Sequence, residues 1–429
     1  MSFTKKTFML HLDFNSISES ILGPKWQKLF NTHWPAYRAW FQSKGAATNP
    51  DLHTSVAQLR HYMPEMMPTY ERMCELAGHD PIAARFLTGW QPPAYISGCS
   101  QVVTQNPPQL VRNYDYHPNL SEGTLLHSAW NGKAVMATGD CLWGVVDGIN
   151  ADGLVASLTF GGRKVVGKGF GIPFILRYVL EFCSTVDEAV AALQRVPSHM
   201  AYNIMLLDKS GAHKMLQIAP DQAVVVTDAL VSTNHQHKVD WPEHAQFSKT
   251  VERERYLLEM LATANLEAED MAQTFLHPPL YARRFNEGFG TIYTAVYRPA
   301  EGYLELRWPG KTLRQSFDGF QEGITTVHYS ESVQAIPVPA TQMGTPAAAT
   351  PAYVPTETDE YWTQYGQAWA TGDPTVMAKN VAQSILSATG KADDAQLAKL
   401  LELFTSETKK RGQIPWEMLA DLWDEPVAS

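Results

Sequence analysis

The chain has 429 residues, is 45% hydrophobic and 18% charged, and carries twelve Trp residues and a formal net charge of −10. That composition excludes disorder throughout, and an acidic excess spread along the chain, with no basic stripe, argues against nucleic acid as a partner. Met1 to Asn15 holds Lys5 and Lys6 but no apolar stretch of secretion-signal length, and nothing downstream reaches membrane-spanning length, so the expected setting is the cytoplasm. Cys74, Cys99, Cys141 and Cys183 form no Cys-x-x-Cys pair and are judged as lone thiols.

From about Ser18 to Leu87, aromatic and aliphatic residues recur at three-to-four spacing, as in Trp26, Leu29, Phe30, Trp34, Tyr37 and Trp40. Residues 1–98 therefore read as a helical leader packed on the core, with one run, Ser55 to Ala77, interrupted near Pro64 and Pro68. At Tyr95 the texture changes to short Val-, Thr-, Tyr- and Leu-rich runs divided by turn pairs such as Asn131-Gly132 and Asp152-Gly153, which predict hairpins. Helices are predicted over Ile172 to Phe182 and Val186 to Leu193, the second introduced by Ser184, Thr185 and Asp187 as capping material. Strands follow over Met200 to Asp208, His213 to Ile218 and Ala223 to Thr227, then a helix over Phe247 to Ala264 and a hairpin of Ile292 to Tyr297 with Tyr303 to Trp308. Strand clusters separated by helices predict an α+β layered domain of antiparallel sheets over 99–335. The Pro-, Ala- and Thr-rich stretch 336–358 reads as a linker, and 359–429 as a helical amphipathic tail that docks on the domain or on a partner.

Cys99 stands at the switch from leader to first strand, in Gly98-Cys99-Ser100, and Arg112-Asn113-Tyr114-Asp115 ends the next strand. A short loop containing Asn106-Pro107-Pro108 joins the two, so the second strand returns beside the start of the first and brings Arg112 and Asp115 to flank Cys99. An Arg beside a thiol favours the reactive thiolate, and an Asp nearby orients an ammonium group or relays a proton. Gly98, without a side chain, leaves its peptide carbonyl open to close approach.

The region from about Ile96 to Trp308 resembles the acyl-CoA:6-aminopenicillanate acyltransferase family of N-terminal-nucleophile hydrolases, related to the choloylglycine hydrolases. The residues that carry the resemblance are Gly98-Cys99-Ser100, Arg112-Asn113-Tyr114-Asp115, Asp147 through Leu154, Gly169-Phe170-Gly171-Ile172-Pro173 and Ser232-Thr233-Asn234-His235. The resemblance implies a four-layer αββα sandwich and a precursor cleaved at Gly98-Cys99, its segments staying associated. It also implies a new N-terminal Cys99 whose α-amine serves as base; such an amine has a pKa of about 7.7 to 8.0, matched to neutral pH. Cys99 would then hydrolyse or transfer an acyl group from a small linear amide or a thioester, without a cofactor.

By the same resemblance Asn234 is the oxyanion-stabilising amide, and Arg112 and Asp115 complete the catalytic set. A further Arg sits early in the helix after the Asn motif; Arg253 and Arg255 compete for it, and the pairing Arg255-Tyr256 favours Arg255. Tyr114, Thr159 and His235 are expected to line the binding site. Thr159 stands where the choloylglycine branch has a second Asn.

His199, His235 and His237 do not have metal-ligand spacing, so no metal is expected, and the glycines at 161–162 and 167–171 lack a following Gly-Lys-Ser/Thr. Cys141 and Cys183 read as core thiols. A papain-like protease would need a His paired to the thiol. The remaining alternative is an inactive scaffold engaging a partner through the aromatic tail; the sequence leaves homo-oligomer formation open.

Overall fold

The computed structural model describes residues 10–42, 50–95, 98–263, 266–285 and 289–329; the linker and tail expected beyond residue 335 lie outside them. The chain opens with strand β1 (Leu10–Glu19), followed by helices α1 (Pro24–Gln42), α2 (Leu52–Tyr62), α3 (Met67–Leu76) and α4 (Pro81–Leu87). Strands β2 (Gly98–Gln105), β3 (Pro108–Tyr116), β4 (Thr124–Ser128), β5 (Val135–Asp140), β6 (Gly144–Asn150) and β7 (Val155–Phe160) come next. Helices α5 (Ile172–Phe182) and α6 (Val186–Arg195) lead into β8 (Tyr202–Leu207), β9 (His213–Ala219), β10 (Gln222–Thr227) and β11 (Val231–Ser232). Helices α7 (Pro242–Ser248), α8 (Thr250–Leu261) and α9 (Ala268–Thr274) precede β12 (Arg283–Arg284), β13 (Phe289–Arg298), β14 (Tyr303–Trp308), β15 (Lys311–Ser316) and β16 (Gly323–Tyr329).

Nine strands form one sheet in the order β10-β9-β8-β7-β6-β5-β4-β1-β16; the other runs β11-β2-β3-β13-β14-β15, with β12 beside β13. Strand β2 lies against β7 and β3 against β8, so the sheets stack face to face. Helices α5 and α6 cover the first sheet, and α8 and α9 cover the second, giving the four αββα layers. Among the described residues the strands pair antiparallel except β1 with β4, which is parallel.

The segment before Cys99 differs from the expected all-helical leader. Leu10, Leu12 and Phe14 alternate with polar residues, the period of a half-buried strand, and β1 is built into the nine-stranded sheet between β4 and β16. The helix expected over Phe247 to Ala264 is broken at Lys249, which takes a left-handed conformation (φ 53°, ψ 36°). That break sets the direction in which α8 approaches β2.

Helix α5 is buried almost all round because leader helices pack on its outer side. Phe86 of α4 meets Phe174 edge-on, and the Tyr178 hydroxyl donates to Glu65 at 3.2 Å. The leader also reaches the β5–β6 turn, where Trp26 Nε1 donates to the Leu142 carbonyl at 3.1 Å.

Candidate active site

The β2–β3 hairpin pairs Gly98 with Asp115, Cys99 with Tyr114 and Gln101 with Arg112. Opposed residues share a face and successive residues alternate. Cys99, Tyr114 and Arg112 therefore look between the sheets, whereas Ser100 and Asp115 look toward the helices α8 and α9. Cys99 is held from both faces at once.

On the inner face, Arg112 Nη2 lies 2.9 Å from Cys99 Sγ. Its Nη1 lies 2.5 Å from Asp147 Oδ2 on β6 of the facing sheet, and Asp147 also accepts from the Tyr293 hydroxyl at 2.7 Å and from the Tyr297 hydroxyl. Burial works against the Arg112 charge, but Cys99 and Asp147 outweigh it and raise its pKa. A fully buried cation at hydrogen-bond distance favours the thiolate form of the sulfur.

On the other face, Arg253 of α8 gathers the backbone of the same residue. Its Nη1 donates to the Cys99 carbonyl at 2.7 Å, to Ser100 Oγ at 2.6 Å and to Asp115 Oδ2 at 3.3 Å. Its Nη2 donates to Asn234 Oδ1 at 2.7 Å, and that oxygen also accepts the Cys99 N–H at 2.9 Å. Burial lowers the pKa of Arg253, with Asp115 and Cys99 opposing. Burial likewise raises that of Asp115, against the pull of Arg253 and of a 2.7 Å hydrogen bond from Thr291 Oγ1. Gly98 is tightly enclosed: a Cβ there would stand 2.1 Å from the Phe289 ring.

Asn234 is fixed by its neighbours. Its N–H donates to Thr250 Oγ1 at 2.7 Å, while Asn203 Nδ2 donates to the carbonyls of Thr233 and His235 at 3.0 and 2.9 Å. Thr159 Oγ1 adds a bond to the Thr233 carbonyl at 2.7 Å. Gly162, at φ +67°, packs so closely that an added Cβ would fall 2.3 Å from the Asn234 carbonyl oxygen.

Cys99, Arg112, Asp115 and Asn234 are thus brought together, with Tyr114 beside them under the Arg112 guanidinium at 5.0 Å. Arg255 is not. Its side chain is 74% exposed and pairs with Glu259, whereas Arg253 is buried against Cys99. Residues two apart on a helix point about 200° apart, so only one of them can face β2.

In the uncut chain Asn234 Nδ2 donates to the Phe160 carbonyl at 3.2 Å, and its oxygen receives the Cys99 N–H. Thr159 and His235 do not reach the sulfur through any of their hydrogen bonds. Thr159 ties down the strand end before Asn234, and His235 bonds Thr250 Oγ1 at 2.9 Å and Glu254 at 3.2 Å. Asp147, Asn203 and Thr291 carried no expected role. Each is a polar residue within a strand, and only the pairing of the sheets shows what it faces.

Among the described residues no group of His, Cys, Asp or Glu could hold a metal ion, and no helix is long and apolar enough to cross a membrane. Residues 102–312 match the model of the acyl-coenzyme A:6-aminopenicillanic acid acyl-transferase family, a match that begins after Cys99. No curated protein matches the chain. Similar solved structures include a mutant conjugated bile acid hydrolase from Clostridium perfringens, with 13% identity over 56% of this chain and 99% of that one, and a TM-score of 0.38. A Caenorhabditis elegans N-acylethanolamine-hydrolyzing acid amidase ortholog shows 17% identity over 55% and 100% of the two chains, with a TM-score of 0.36. Penicillin V acylase from Agrobacterium tumefaciens shows 14% identity over 52% and 86%, with a TM-score of 0.35. Residues 102–312, the greater part of the αββα core, are thus similar to the acyl-coenzyme A:6-aminopenicillanic acid acyl-transferase family.

Proposed function

We propose that the chain is a self-processing cysteine amidohydrolase or acyltransferase that cuts itself between Gly98 and Cys99. The observation that carries this reading is the treatment of one residue: Arg112 at 2.9 Å from the Cys99 sulfur, and Asn234 Oδ1 at 2.9 Å from its nitrogen.

In the uncut chain the Cys99 sulfur attacks the Gly98 carbonyl carbon. A C–S bond forms, the C–N bond breaks, and the nitrogen leaves as an amine after taking a proton. Water then adds to the thioester, releasing a Gly98 carboxylate and the free thiol. The freed α-amine stays at Asn234 Oδ1, where it takes the thiol proton when an external amide or thioester is attacked. The acyl group passes to the sulfur and onward to water or an amine. Arg112 favours the thiolate in both rounds, and Arg253 with Asp115 holds the chain start in place.

Cys99 is fully buried in the uncut chain.

Mass spectrometry of the purified protein tests the reading. Fragments 1–98 and 99–429 that co-purify are expected, with Cys99→Ala remaining a single chain. An uncut native chain whose Cys99 resists thiol reagents would refute it. A screen of N-acyl amino acids and acyl thioesters, with Cys99→Ala as blank, then separates hydrolysis from transfer.

A further inference from the structure

The end of the leader is the acyl half of the bond that Cys99 is proposed to cut, so the space it fills is the space a later acyl group must enter. From Gly98 backward, residues on the carbonyl side lie where an external acyl donor places its chain, because one sulfur attacks both carbonyls from one position. What holds these residues therefore describes the acyl pocket. This inference rests on the self-processing reading above.

Ala94 and Tyr95 are buried, and the Tyr95 ring is caged by aromatic groups. It stacks on His199 at 6.3 Å, lies tilted on Tyr202 at 6.1 Å and meets Trp40 edge-on at 6.1 Å. The cage is joined to the reacting centre through Tyr202, whose ring meets Phe160 at 6.3 Å, and the Phe160 carbonyl accepts from Asn234 Nδ2. Upstream the leader is anchored by a bridge of Trp90 with Phe170 and by the Gln91 N–H on the Gly169 carbonyl at 2.9 Å. The segment between this anchor and Gly98 is the part that a cut frees at one end.

The geometry points to an acyl donor with an aromatic ring three residues along from the scissile carbonyl, at most about 10 Å away, seated in the cage of Trp40, His199 and Tyr202 that Tyr95 occupies in the uncut chain. The walls are aromatic on three sides, and aromatic pairs add to the gain from area alone. A donor that ends before the cage leaves it unfilled and forgoes that binding.

The test compares two coumarylamides on the self-cleaved protein, one acylated with Ala-Tyr-Ile-Ser-Gly and the other with Ala-Ala-Ile-Ser-Gly. We expect kcat/KM at least about tenfold higher for the first, a ratio that Tyr202→Leu moves toward one. The free acid Ala-Tyr-Ile-Ser-Gly should compete with the substrate at least tenfold better than its Ala counterpart. Equal kcat/KM values and equal inhibition on a protein that cuts itself and labels at Cys99 would overturn the pocket assignment alone. A protein that neither cuts nor labels overturns the reading beneath it, and the pocket with it.

Discussion

The guanidinium of Arg253 lies 2.7 Å from the carbonyl oxygen of Cys99, a residue 154 positions earlier in the chain. One side chain thereby ties the first residue after the proposed cut to Asn234, Ser100 and Asp115. Removing it leaves the Asp115 carboxylate buried without its cation, a change that costs about 3 to 5 kcal/mol when one partner of a buried pair is lost. Arg253→Gln is expected to stop self-cleavage and lower thermal stability by that order. Arg255→Gln, at an exposed position, should stay within about 0.5 kcal/mol of the native protein and process normally. Fragment analysis with thermal melts of both variants checks the assignment; loss of processing in Arg255→Gln alone would reverse it.

Arg112 Nη2 lies beside the sulfur, so its removal should be read in thiol chemistry. With Arg112→Met the cation 2.9 Å from Sγ is gone, and the thiol pKa must rise. Alkylation of Cys99 at neutral pH is expected to slow by at least about tenfold, with the pH–rate curve displaced upward by a unit or more. Asp147, left among Tyr293 and Tyr297 without its cation, adds a stability loss. An unchanged pH–rate curve would remove Arg112 from the mechanism.

Much of this site was legible in the sequence because the β2–β3 hairpin is local. Gly98-Cys99-Ser100 and Arg112 to Asp115 sit close enough in sequence for turn residues alone to fold one against the other, and the register bears that out. Arg253 was ambiguous because Lys249 adopts a left-handed conformation and restarts the helix, resetting which residue of α8 faces the sheet. Asp147 and Asn203 were silent for a different reason. Their partners lie on another sheet or beyond another strand, and period-two alternation says that a residue faces inward without saying what it meets. Strand β1 is hard to see in the sequence because its apolar positions are few and it directly precedes the strongly periodic aromatic helix α1.

Asn203 offers a test of positioning apart from chemistry. Its amide hydrogen bonds go to Thr159 and to the two carbonyls that flank Asn234. Asn203→Asp replaces those donors with acceptors and should displace Asn234 from the Cys99 nitrogen. Self-cleavage is expected to slow by about tenfold to a hundredfold, the kinetic equivalent of the 1 to 3 kcal/mol lost when buried acceptors go unpaired. Cys99 alkylation, which the Arg112 contact is expected to set, should change little in the unfolding-corrected rate. Equal losses in both measurements would mark the substitution as general damage.

The leader is fastened to the core by a contact that depends on a proton. The Tyr37 hydroxyl lies 2.6 Å from Glu122 Oε1 and 2.8 Å from Asp140 Oδ1, and also accepts the Cys141 N–H at 2.8 Å. A hydroxyl has one proton to give, so both carboxyl contacts are satisfied only when one acid is itself protonated. Burial, with Glu122 adding to it, pushes Asp140 up to about 7. An acid whose pKa is raised on folding binds its proton more tightly in the folded state, so its contribution is fullest below its ordinary value near 4 and fades as pH rises through 7. The melting temperature should therefore fall between pH 5 and pH 8, and cleaved leader should dissociate more readily at the upper end. Asp140→Asn, which keeps the shape and cannot ionise, should flatten both trends. Tyr37→Phe should weaken retention across the whole range, because it removes the shared hydroxyl whether or not the acid carries its proton. A slope that survives Asp140→Asn would place the titrating group elsewhere and leave the Tyr37 contact as ordinary packing.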